Sequence, residues 1–169
     1  TLWHTSGAGW AQAAFTNAAT EPMLRDVWAA DDHARVVAVG EAGWVWQLDG
    51  VTWSREQVPG QPELHAVWGA GASDVFAVGD GGTIRRFDGT AWSELASATA
   101  HDLRAVAGWS ADHVFAAGRF GTLVHFDGQQ WTPIRTPTQR DIIGLWAHGD
   151  SLYLIVEDDV LRLVMTTAL

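Results

Sequence analysis

Ala77-Val78-Gly79-Asp80-Gly81-Gly82-Thr83-Ile84-Arg85-Arg86-Phe87-Asp88-Gly89-Thr90-Ala91-Trp92 reads as two short extended runs with a glycine-rich turn between them and a hairpin after them. Gly82 opens the second run, where a tight turn needs a residue at ease with positive φ. Asp88-Gly89 then closes it. Asp-Gly between extended runs signals a hairpin, and the type I′ turn expected there requires positive φ at both central positions. A further strand should begin just past it, near Trp92.

The pattern recurs on both sides. Val37-Ala38-Val39-Gly40, Phe76-Ala77-Val78-Gly79 and Phe115-Ala116-Ala117-Gly118 stand 39 residues apart, and Leu154-Ile155-Val156-Glu157 continues the spacing. Each is preceded by an apolar run: Leu24 to Trp28, Leu64 to Trp68, Leu103 to Ala107 and Ile142 to Trp146. Gly43, Gly82 and Gly121 follow, and then Asp49-Gly50, Asp88-Gly89 and Asp127-Gly128, each with a Trp three places on at Trp53, Trp92 and Trp131. Ser6-Gly7-Ala8-Gly9-Trp10 enters the pattern at its hairpin, and Val160 to Val164 takes the place of the third strand near the C-terminus.

Four strands in about 39 residues form a small sheet that is apolar on both faces. Such a sheet cannot bury itself, so copies must stack, and radial stacking leaves only short protected edges. The expected fold is therefore all-β, a β-propeller of four-stranded antiparallel blades within a single domain, 1–169. Blades span 24–62, 63–101 and 102–140, with partial blades at 1–23 and 141–169. The recurring Trp residues, Trp28, Trp68 and Trp146 in one register and Trp53, Trp92 and Trp131 in another, should fill the spaces between sheets. A parallel β-helix is the rival, but its coils are shorter and need no Asp-Gly hairpin. Ring closure has three routes: complementation between the terminal strands, further blades, or a second copy of the chain.

The phrase from Ala77 to Ile84 followed by Asp88-Gly89-Thr90-Ala91-Trp92 resembles the repeats of photosystem II assembly-factor-like propellers and the Asp-box repeats of sialidase-like propellers. The likeness covers nearly the whole chain and implies architecture, because such repeats recur in proteins of unrelated function. The sequence departs from the Asp-box pattern, since the Ser is missing and Asp is followed directly by Gly. A sialidase-like enzyme would also need an arginine cluster and a Tyr nucleophile with acidic partners. The single Tyr, Tyr153, lies in an expected core strand, and Arg25, Arg85, Arg86 and Arg104 sit at repeat positions expected on exposed strand surface.

A net charge of −10, carried with ten Arg and no Lys, disfavours nucleic acid, whose binding draws on clustered cations. No apolar run is long enough to insert as a membrane helix. The chain opens without Met or a basic-then-apolar leader, as a mature form or an excised domain would. The seven His, from His4 to His148, show no zinc spacing. Asp31-Asp32-His33, Asp112-His113 and Asp158-Asp159 match turns better than a calcium loop. No Walker loop, nucleophile elbow or dinucleotide fingerprint is present, so neither a catalytic residue nor a cofactor is expected.

A binding surface is expected at the loops of one end. Glu41, Asp80, Arg119 and Asp158 follow the second strand of successive repeats and should surround a channel mouth. Residues that break the repeat add to them: Trp44 and Trp46 in a third strand, Phe120 beside Arg119, and Trp109 in a loop where Ala30 and Ala70 are its counterparts. An exposed aromatic near an Arg can anchor a protein or stack on a sugar. The function expected is a non-catalytic interaction or scaffold module with a protein or other ligand as partner. A carbohydrate-binding lectin is the alternative, and the expected setting is extracellular, cell-surface or periplasmic.

Overall fold

The computed structural model describes residues 22–31, 35–49 and 52–165 in full, and the backbone alone of 3–5 and 10–12. Strands β1 (Trp3–Thr5) and β2 (Trp10–Gln12) pair antiparallel, Thr5 opposite Trp10. The first complete sheet runs β3 (Leu24–Ala29), β4 (Arg35–Gly40), β5 (Trp44–Asp49) and β6 (Thr52–Gln57). The next is β7 (Leu64–Gly71), β8 (Asp74–Gly79), β9 (Ile84–Phe87) and β10 (Trp92–Leu95). It is followed by β11 (Leu103–Ser110), β12 (His113–Gly118), β13 (Leu123–Phe126) and β14 (Trp131–Pro133). The last sheet has three strands, β15 (Ile142–His148), β16 (Ser151–Val156) and β17 (Asp159–Val164). Every pairing is antiparallel between neighbours in sequence, the arrangement that short hairpins permit.

The first strand of each sheet lies against the first and second strands of the sheet before: β7 on β3 and β4, β11 on β7 and β8, β15 on β11 and β12. The second strands β4, β8 and β12 are therefore covered by the next sheet and read as largely apolar runs. Val75 to Val78 and Val114 to Ala117 are fully buried. Three apolar clusters fill the three junctions. One joins Val37, Val39 and Val45 to Val67, Val75 and Phe87; the next joins Phe76, Val78 and Ile84 to Val106, Val124 and Trp131; the last joins Phe115 and Leu123 to Leu152 and Leu154.

Trp28 and Trp68 fill these junctions as their register predicts. Each ring covers a glycine of the next first strand: a Cβ at Gly69 would come within 2.6 Å of the Trp28 ring, and one at Gly108 within 2.9 Å of Trp68. Trp131 is 4% exposed and packs with Phe76 and Phe126, and Trp92 packs on Phe87. Trp146 departs from the expectation. It is 60% exposed, because no further described sheet covers that face, and it stacks instead on His148 at 5.0 Å and on Tyr153.

Three local readings need correction. The Asp-Gly hairpins are not type I′. Positive φ occurs at Gly89 and Gly128 but not at the Asp before them. Asp88 instead accepts the backbone N–H groups of Thr90 and Ala91 at 2.8 and 3.0 Å, and Asp127 those of Gln129 and Gln130. The carboxylate thus closes a longer loop by serving as its internal acceptor. Gly50 of the first such hairpin lies outside the described residues. In the last sheet the second strand sits one place earlier than the spacing of 39 implies, since Ile142 pairs with Val156 where Leu103 pairs with Gly118. Finally, Arg85 is not surface. It is 7% exposed, donating to the Pro59 carbonyl at 2.7 Å and pairing with Glu94 at 2.8 Å.

Candidate functional site: the charged turn end

The turns from second to third strand, Glu41–Gly43, Asp80–Gly82 and Arg119–Gly121, share one construction. Their last two residues are both left-handed, with φ of 51 and 71° at Ala42 and Gly43, 61 and 75° at Gly81 and Gly82, and 57 and 68° at Phe120 and Gly121. The second position has no room for a side chain: a Cβ on Gly82 or Gly121 would lie 2.1 Å from the carbonyl oxygen of Thr99 or Thr138. The first position is open, since a Cβ on Gly81 meets nothing within 4 Å. Ala, Gly and Phe are accordingly found there.

An acidic residue at the start of the following repeat ties each turn down. Ala42 N–H donates to Glu63 at 3.0 Å, Gly81 N–H to Asp102 at 3.0 Å, and Phe120 N–H to Asp141 at 3.1 Å. The backbone carbonyls of Glu63 and Asp102 also accept the N–H of Asp80 and Arg119 at 3.0 Å, so one residue holds its own turn and its neighbour's. The Ala42 N–H, with Arg25 assisting, keeps the Glu63 carboxyl below its ordinary range, and the Gly81 N–H, with Arg119, does the same for Asp102. This bond between sheets was missed in the sequence. Its signal was present as an acid at 63, 102 and 141, recurring every 39 residues before the leading apolar position.

Basic side chains alternate with these acids. Arg25 pairs with Glu63 at 3.0 Å and Glu41 at 3.7 Å, and His65 contacts Asp80 at 2.6 Å. Arg119 reaches Asp102 at 3.4 Å and Asp141 at 3.8 Å, bridging two repeats. Glu41, Asp80 and Arg119 therefore lie at equivalent turns along one end of the sheets. Asp158 does not share their place. The register shift puts Glu157 after the strand, and Asp158 sits one residue on, bonded to Arg140 at 3.0 Å.

The aromatic candidates separate sharply. Trp46 is 1% exposed within β5 and offers no surface; Trp44 on the same strand is half-buried, with Arg55 over its ring at 5.2 Å. Trp109 lies in β11, not in a loop, and packs edge-on against Phe115 at 5.5 Å in the last junction. Phe120 alone of this group is presented outward. It is 60% exposed at a turn tip, with Arg119 over its ring at 5.8 Å and the His101 ring at its edge at 5.1 Å. Thr122 holds His101 Nδ1 at 2.8 Å. A non-glycine residue in this conformation carries strain of about 1 kcal/mol or more, which its own contacts must offset.

Solved structures sharing this arrangement include YCF48 bound to D1 peptide, at 17% identity and a TM-score of 0.73 over 95% of this chain and 55% of that one. YCF48 from Cyanidioschyzon merolae matches at 14% identity and a TM-score of 0.67, over 82% of this chain and 49% of that one. The fold is a β-propeller fold. The computationally designed Ika4 protein matches at 16% identity and a TM-score of 0.70, covering 92% of this chain and 99% of its own. This chain spans about half the length of the YCF48 chains. No family model and no curated protein matches the sequence. The photosystem II assembly-factor resemblance agrees with these neighbours in architecture, whereas no Asp-box or sialidase-like protein stands among the three.

Proposed function

We propose that the chain is a non-catalytic interaction module of the β-propeller class, which binds a protein partner through its charged turn end with Phe120 as the apolar anchor. The observation that carries this reading is Phe120 itself, a large side chain held outward in a left-handed turn where the sister repeats have Ala42 and Gly81. Packing does not require it, because the ring is mostly in solvent. A partner would remove that ring from water and convert the strained turn into binding area. Arg119 and His101 beside it, and the acid-base alternation around it, supply directional contacts that would set the partner's orientation. A structural neighbour bound to a peptide lends support at the level of the fold.

The test is a selection of peptides from a displayed random library against the purified chain. Selected binders should lose about thirtyfold in affinity to the Phe120→Ala variant, as an anchor residue does. A selection that returns no binder, or binders indifferent to Phe120 and Arg119, would refute the reading.

A further inference from the structure

The third turn departs from its sisters at two adjacent positions. Glu41-Ala42-Gly43 and Asp80-Gly81-Gly82 open on an acid and a small residue, whereas Arg119-Phe120-Gly121 opens on a base and a ring. Phe120 is the apolar anchor already described. Arg119 reverses a charge that the sister repeats use.

A basic residue follows the leading leucine in β3, β7 and β11: Arg25 after Leu24, His65 after Leu64 and Arg104 after Leu103. Each leucine pairs across its sheet with the glycine that precedes the turn, Gly40, Gly79 or Gly118. That register brings the base onto the acid of its own turn, Arg25 to Glu41 at 3.7 Å and His65 to Asp80 at 2.6 Å. In the third repeat the same register sets Arg104 against Arg119, and two guanidinium groups repel where the sister pairs attract. Arg119 is drawn off to Asp102 at 3.4 Å and Asp141 at 3.8 Å. Arg104 is half-buried and makes no ion pair or hydrogen bond among the described residues, and its Nε is shut off from water without a partner. Arg35, Arg85 and Arg86 also bury an Nε, but they pair through their terminal nitrogens. Asp102 lies within electrostatic reach of both Arg119 and Arg104, yet its carboxylate already accepts the Gly81 N–H and pairs with Arg119. The third repeat is thus one carboxylate short, next to its exposed ring.

Resting on the protein-interaction reading, we infer that the partner is a peptide segment with an Asp or Glu side chain beside the residue that packs on Phe120, and that Arg104 and Arg119 take up this carboxylate as the turn's missing acid. The occupant is a carboxylate because two sister turns supply one at the equivalent place. A net charge of −10 opposes a polyanion at long range, whereas a single acid adds little to that repulsion. Partial burial of Arg104 strengthens a charge-assisted hydrogen bond to the incoming acid. Phe120 then gives area, and the arginines give selectivity.

The experiment takes displayed-library peptides selected for Phe120-dependent binding and measures them by fluorescence anisotropy against the full chain. Each acid-bearing peptide is compared with its amide form, Glu changed to Gln or Asp to Asn. The binders are expected to share an acidic residue, whose change to the amide weakens binding about tenfold on the parent chain and about twofold or less on Arg104→Gln. Amide peptides should bind the parent chain and Arg104→Gln alike, which a folding defect would not allow. Arg119→Asp, which rebuilds the sister turn, should abolish the preference for the acid. Binders that share no acid, or an acid-to-amide loss equal on the parent and Arg104→Gln, overturn the inference and leave the Phe120 reading standing. A selection without Phe120-dependent binders overturns both.

Discussion

At the scale of single residues, the turn end is decided by which positions have room for a Cβ. Gly82 and Gly121 are left-handed and a Cβ on either would strike a carbonyl oxygen, whereas a Cβ on Gly81 would meet open space and Phe120 stands 60% exposed. Gly82→Ala should therefore destabilise by about 2 kcal/mol or more in urea unfolding, through strain and displaced backbone together. Phe120→Gly should act the other way, raising stability by about 1 kcal/mol as the left-handed strain is released. If partner binding falls while stability rises, the strain is retained for recognition. Asp102→Ala removes the acceptor of the Gly81 N–H and should lower stability by about 1 to 2 kcal/mol, read by the same unfolding curves.

At the scale of strands and sheets, the junctions combine large and small residues across each interface. Trp28 on Gly69 and Trp68 on Gly108 give way to Ala107 and Ala147 at corresponding places in the last junction, so bulk and its absence stay matched while the residues change. Gly69→Val should overpack against the Trp28 ring and destabilise by about 1 to 3 kcal/mol. Trp131→Ala should cost about 3 to 5 kcal/mol, with a fall in the unfolding midpoint as the check. The strands were legible because alternation and turn chemistry repeat, and Asp88 and Asp127 were correctly placed at hairpins. Their role was misread. Whether Asp turns left-handed itself or accepts bonds from the loop depends on loop length: pairing resumes at Trp92 and Trp131, three residues past each Gly, which is too long a loop for a two-residue turn.

For the whole molecule, acid should weaken the fold in two steps. His125 is pushed down by burial, and also by its neighbour His113 at 3.3 Å, so the unfolded chain takes up its proton first; stability from this source is full above about pH 6.5 and lost as pH falls below it. Glu63, Asp102, Asp88 and Asp127 are held low by backbone N–H donors, so their contribution is full above about pH 4 to 5 and lost as pH falls towards their folded values. Urea midpoints measured from pH 8 to pH 3 should show both slopes, and His125→Gln should flatten the upper one alone. The amino-acid sequence by itself determined the repeat, the antiparallel sheets and the junction role of most tryptophans, because these follow from local turn chemistry and from apolar periods too short to bury themselves alone. Only the tertiary structure decided that Trp109 and Trp46 are packed inward, that Phe120 is not, and that Asp158 is displaced from its expected place. Exposure and register are set by what the neighbouring sheet covers, and a residue's own neighbours in the chain do not carry that information.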